Sequence, residues 1–118
     1  MQEIDFTKDT FSDILARDRR YDAKAYALLL EAFSIIPGST NISYAEILDA
    51  FKEVCLTQFG PLAYTVLTEW GLKECIDIGE MMFNLVESGR LAKNDGDNYE
   101  DFRNGYSFKE AFIDPFKA

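Results

Sequence analysis

The stretch Glu74 to Ser88, ECIDIGEMMFNLVES, constrains this chain more than any other. At helical spacing it carries two overlapping apolar rows: Cys75, Ile76, Gly79, Met82, Phe83 and Val86, then Ile78, Met81 and Leu85. One narrow polar row is left, formed by Asp77, Glu80, Asn84 and Glu87. A surface helix needs a single apolar stripe, so the double stripe predicts a helix covered on most of its circumference and the most buried of the fold. Glycine inside a helix costs roughly 1 kcal/mol relative to alanine, and Gly79 amid bulky neighbours therefore points to a second element crossing at close range.

The elements around it are marked by their ends. A weak helical pattern, Phe6, Phe11, Ile14 and Leu15, follows Asp5 as an N-cap and runs to about Arg17. Asp22 caps a helix over 23–36 that stops at Pro37 and Gly38. Ser43 and Glu46 form a capping box, with Ile42 and Ile47 at the staple positions, and open a helix over 44–59. Pro61 is placed as the first residue of a helix over 61–70, and the central helix covers 74–88. Asn94 to Asn98 is a turn by composition. It fails as an EF-hand, because Gly96 at the sixth place puts Leu91 at the first and Phe102 at the twelfth. From Tyr99 to Phe116 there are six aromatics in eighteen residues, too many to leave in water, so this tail is expected to dock on its own domain. A short helical turn from Ser107 to Ile113 would align Phe108 with Phe112. The expected architecture is a mainly α single domain. It comprises an N-terminal helical segment and basic corner (1–20), a helical core (21–89), and a turn with an aromatic C-terminal segment (90–118). The last three helices follow a winged-helix-like order, and a short C-terminal hairpin between Arg90 and Phe108 would complete it.

Composition narrows the chemistry. With 47% hydrophobic residues in 118, the chain can build a real core, and its formal charge of −9 disfavours adhesion to phosphate backbones and anionic lipid. The opening MQEIDFTKD has no leader pattern and no run is long enough to cross a bilayer, so the expected compartment is the cytoplasm, away from any membrane. Cys55 and Cys75 sit among apolar residues and read as reduced core thiols. The absence of histidine removes Ser-His and Cys-His nucleophile activation and histidine metal sites.

Four motifs in order, YDAKAYALLLEA (Tyr21 to Ala32), FGPLAYTVLTEWG (Phe59 to Gly71), IGEMMFNLVESG (Ile78 to Gly89) and EDFRNGYSFKEAF (Glu100 to Phe112), resemble the Minf family of small bacterial proteins of unknown function. The resemblance implies a cytosolic bacterial single-domain protein and carries no activity, cofactor or catalytic residue. Lys73 departs from the pattern, standing at the entrance to the central helix where Ser, Thr or Asp would cap better.

Three functions compete. The first is a non-catalytic protein-interaction or regulatory module, with a protein partner or its own copy, no catalytic residue, no cofactor and no metal. Its candidate interaction surface is Asp77, Glu80, Asn84, Glu87, Tyr99, Phe102 and Tyr106. The second is a winged-helix-like nucleic-acid-binding regulator. The third is a carboxylate-based metal-dependent enzyme built on the Asp77, Glu80, Asn84, Glu87 row, which lacks a second helix of facing carboxylates. Arg17, Arg19 and Arg20 form a candidate anion contact, or else a solvated corner pairing with Asp13 and Asp22. Against nucleic acid, residues 25–92 carry Lys52, Lys73 and Arg90 beside nine carboxylates, a balance of −6. The protein is therefore expected to show no salt-sensitive DNA binding at physiological ionic strength. A mobility-shift titration finding micromolar binding that weakens steeply with salt would contradict this.

Overall fold

Side-chain caps set most of the helix starts. Ser43 Oγ accepts from Glu46 N at 3.2 Å, Asp22 Oδ1 from Lys24 N at 2.8 Å, and Ser107 Oγ from Glu110 N at 3.4 Å. A computed structural model describes residues 10–36, 42–91 and 99–117. Among these the helices are α1 (Ser12–Arg17), α2 (Ala23–Ser34), α3 (Tyr44–Phe59), α4 (Ala63–Glu69), α5 (Cys75–Glu87) and α6 (Phe108–Phe112). Three 3-10 turns complete them, Gly60–Leu62, Tyr99–Asn104 and Asp114–Phe116. The fold is mainly α, and no strand occurs among the described residues.

Of the predicted helices, 44–59 is met residue for residue. Pro61 falls inside the 3-10 turn that leads into α4, so that helix starts two residues later than expected. At the entrance to α5 the N-cap is Glu74, and Asp77 Oδ2 accepts from the backbone N–H of Lys73 at 2.8 Å and of Glu74 at 3.0 Å. Lys73 is thus outside the helix and does not occupy the cap. The opening-helix expectation on Asp5 and Phe6, the Asn94–Asn98 turn, and the loop around Pro37 and Gly38 lie outside the described residues. The hairpin is corrected where it can be seen. Tyr99–Asn104, within the expected hairpin span, is a 3-10 turn, since Phe102 folds back onto α5.

The core is laid around α5. α2 packs on α3, α4 joins α3 to α6, and the Tyr99–Asn104 turn lies along α5. Tyr26, Phe51, Phe112, Ile14, Leu29, Leu67, Leu72, Ile78, Met81 and Leu85 are fully enclosed. In α5 only Phe83 and Glu87 are exposed. The crossing predicted at Gly79 is made by that turn: a Cβ built there would stand 2.9 Å from both the Phe102 ring and the Tyr99 carbonyl oxygen. Phe102 is 2% exposed, taking the place that a side chain at 79 would need. Phe83 departs from expectation. It is 43% exposed and meets Tyr99 edge-on, with ring centroids 5.4 Å apart, because the turn covers the Gly79 side of α5 and leaves the outer edge bare.

The tail docks in cis. Phe102, Phe108, Ala111 and Phe112 are buried, α6 forms at the expected place, and Tyr106 Oη donates to Leu48 O at 2.8 Å. Phe116, beyond Pro115, is left 46% exposed. Gly79→Ala discriminates a close crossing from an ordinary helix position. Propensity alone would stabilise by roughly 1 kcal/mol, whereas intrusion on Phe102 should destabilise by about 1–3 kcal/mol net of repacking. Chemical denaturation reads the sign directly.

Candidate functional site

The polar row of α5 does not face water along its length. It meets the corner between α1 and α2. Tyr21 Oη donates to Asp77 Oδ1 at 2.7 Å, and Asn84 Nδ2 donates to both Asp18 Oδ2 at 3.0 Å and Tyr26 Oη at 2.9 Å. Arg20 forks onto Asp18, with Nη2 at 2.7 Å from Oδ2 and Nε at 3.0 Å from Oδ1, and reaches Glu80 Oε2 at 3.4 Å. The backbone fixes the same corner from the other side. Asp22 N donates to Trp70 O at 3.1 Å, and Gly71, at φ +96°, lies so close that a Cβ would stand 2.1 Å from Arg20 O. A side chain is excluded at 71 by contact as well as by backbone conformation.

These contacts revise the site assignments. Asn84 is 9% exposed and Phe102 2%, so neither can belong to an interaction surface. Asp77 is committed to Tyr21 and the start of α5, and the Tyr106 hydroxyl to α3. Glu80, Glu87 and Tyr99 keep solvent-facing area. The arginine corner pairs differently from expectation. Arg20 takes Asp18 and Glu80, while Asp13 is held by Arg90 at 2.8 Å and Asp22 caps α2. Arg17 and Arg19 form no ion pair among the described residues. Arg19 and Arg20 do line a groove of about 830 Å³, but Asp22 and Glu69 share it with Trp70, so its charge is balanced. Asp18, Tyr21 and Tyr26, the partners that organise the polar row, were not identified from the sequence, where a carboxylate between arginines and two tyrosines carry no distinguishing pattern.

The electrostatics are those of a structural clasp. The Arg20 guanidinium and the Asn84 amide hold the Asp18 carboxyl well below the usual carboxylate range, and Arg90 holds Asp13 at about 2. Burial and the neighbouring Asp77 push the Tyr21 phenol up, so it stays a donor. Cys55 and Cys75 are free and buried. Burial pushes both thiols up, Cys75 to about 12, which leaves them protonated and unreactive at neutral pH. Among the described residues no three His, Cys, Asp or Glu side chains gather as a metal ion requires, and no helix is long and apolar enough to cross a membrane.

Comparison with known proteins finds no matching family, no similar curated protein and no similar solved structure.

The depressed Asp18 carboxyl gives a pH prediction. A carboxyl whose folded pKa lies below its unfolded value contributes stability that is full above about pH 4 and fades as the pH falls through the folded value. Asp18→Asn should lose about 1–3 kcal/mol at neutral pH, the worth of hydrogen bonds to a charged group. The gap between variant and wild type should close steadily below about pH 4. Urea titrations across the acid limb measure it, and a gap independent of pH would contradict the assignment.

Proposed function

We propose that this chain is a non-catalytic interaction module of the cytosol whose docking face is the outer edge of α5. One observation carries this: Phe83 is 43% exposed on a helix otherwise almost entirely covered, braced edge-on by Tyr99 and flanked along the helix by Glu80 and Glu87. Met82 and Val86, half-buried beside it, extend the apolar strip. An aromatic anchor with a carboxylate rim suits a partner segment that presents an apolar side chain between lysines or arginines. A second copy docked antiparallel on the same face by two-fold symmetry about Phe83 would set Glu80 of each copy towards Glu87 of the other, so the charge favours a different protein. Membership of the Minf family is part of this proposal and rests on the four motifs. The winged-helix alternative has the helix order but, among the described residues, no strand to act as a wing.

The test separates docking from folding. Phe83→Ala removes a ring that is only partly covered and should cost about 1–2 kcal/mol, against roughly 3–5 kcal/mol for a core phenylalanine. Tagged wild-type protein incubated with native cytosol should retain a partner at stoichiometric level, and Phe83→Ala and Glu87→Lys should each release it while remaining folded at the assay temperature. Retention of the same partner by both variants would rule out this face.

A further inference from the structure

A groove of about 520 Å³ lies where the loop before α5, the Tyr99–Asn104 turn and α6 meet α4. Its lining inverts the charge of the molecule. Lys73, Arg103 and Lys109, one from each of the first three elements, line it with Glu74 as the single lining carboxylate among the described residues, in a chain whose formal charge is −9. Glu74 is the N-cap of α5, so its charge already serves the helix terminus. Lys73 forms no ion pair among the described residues. Arg103 pairs with Glu100 and Lys109 with Asp114, neither of which lines the groove. Both pairs are solvent-exposed, where such pairing is worth about 0–1 kcal/mol and yields readily to a better-placed anion.

The walls supply the other half of a binding site. Tyr64 stands at the rim 38% exposed, and Phe108 lies among the lining residues 4% exposed. The volume falls within the range of roughly 300–1,000 Å³ that small-molecule sites occupy. Three cations from separate elements concentrate positive potential in a concavity, and an arginine fork matches the oxygens of a phosphate or carboxylate. We infer that this groove binds a small aromatic anion, its phosphate or carboxylate held by Lys73, Arg103 and Lys109 and its ring laid against Tyr64. The site is separate from the Phe83 edge and does not rest on the docking proposal.

Phenyl phosphate is the probe, titrated into isotope-labelled full-length protein and followed by backbone amide shifts. Saturable shifts should centre on residues 73–76 and 107–109. Inorganic phosphate and benzyl alcohol, each carrying half of the ligand chemistry, should bind at least about tenfold more weakly. The exposed Lys73→Gln and Arg103→Gln together should weaken phenyl phosphate by about tenfold or more. Tyr64→Ala, at the rim, should weaken it without affecting inorganic phosphate, and Lys24→Gln, away from the groove, should change nothing. Thermal unfolding of each variant checks that the fold is kept. Absence of saturable shifts, shifts centred elsewhere, equal affinity for inorganic phosphate, or an affinity indifferent to both the charge and the Tyr64 substitutions would each overturn the assignment.

Discussion

The contact between Gly79 and Phe102 is the one on which the arrangement of the second half of the chain depends. A helix surface with a missing side chain admits a neighbouring ring to backbone distance, and here the ring comes from a turn twenty residues further along. Once Phe102 is seated, the chain that follows is committed to the same side of the molecule. Tyr106 reaches the carbonyl of Leu48 on α3, and Phe108 and Phe112 stack edge-on at 5.2 Å under α4. Burying a phenylalanine is worth about 1.5–3 kcal/mol, so the three rings together stabilise the domain by an amount comparable to the whole net stability of a small protein. The aromatic tail is therefore part of the core, and α5 owes its burial to it.

The other side of α5 is held by charge and hydrogen bonds. Asp18, Arg20, Tyr21 and Tyr26 pair with Asp77, Glu80 and Asn84, Asn84 donating to both Asp18 and Tyr26, and among the described residues no buried side-chain polar atom lacks a partner. Such a network is costly when half made and specific when complete. It fixes the rotation of α5 about its axis, because a turn of one residue would put Asn84 against apolar side chains and leave Tyr26 and Asp18 unsatisfied. The apolar face under the tail and the polar face under the corner thus specify the same orientation of one helix.

How far this was legible can be judged from particular residues. Ser43 with Glu46, and Asp22, marked helix starts because capping is local chemistry within four residues, and the turn from Ser107 was marked by the spacing of Phe108 and Phe112. Gly79 signalled a crossing because glycine in a helix interior needs a reason. The fate of the polar row was not legible. Asp77 and Asn84 look like a solvent-facing stripe, and their partners lie between 56 and 66 residues away. Phe83 failed for a related reason. Periodicity assigns a residue an angle around its helix, and two stripes that together span most of the circumference do not say which edge the neighbours leave open. The groove cations, thirty and thirty-six positions from Lys73, form no motif at all; only the fold assembles them.

This division of labour sorts the surface by what the fold requires of it. The clasp residues Asp18, Tyr21, Asp77 and Asn84 have a sufficient reason for being where they are, since each satisfies another buried or half-buried group. Phe83, still 43% exposed beside Tyr99, and Lys73, Arg103 and Lys109, gathered on one groove with only exposed pairs for the last two, are held less completely. A ring left in water forgoes hydrophobic stabilisation, and like charges gathered in one concavity repel, so both features oppose stability where a polar residue or a scattered arrangement would not. Features that the fold offsets only in part are the ones on which the proposed docking face and the proposed anion site rest. In this protein they lie at the outer edge of α5 and in the groove beside its start.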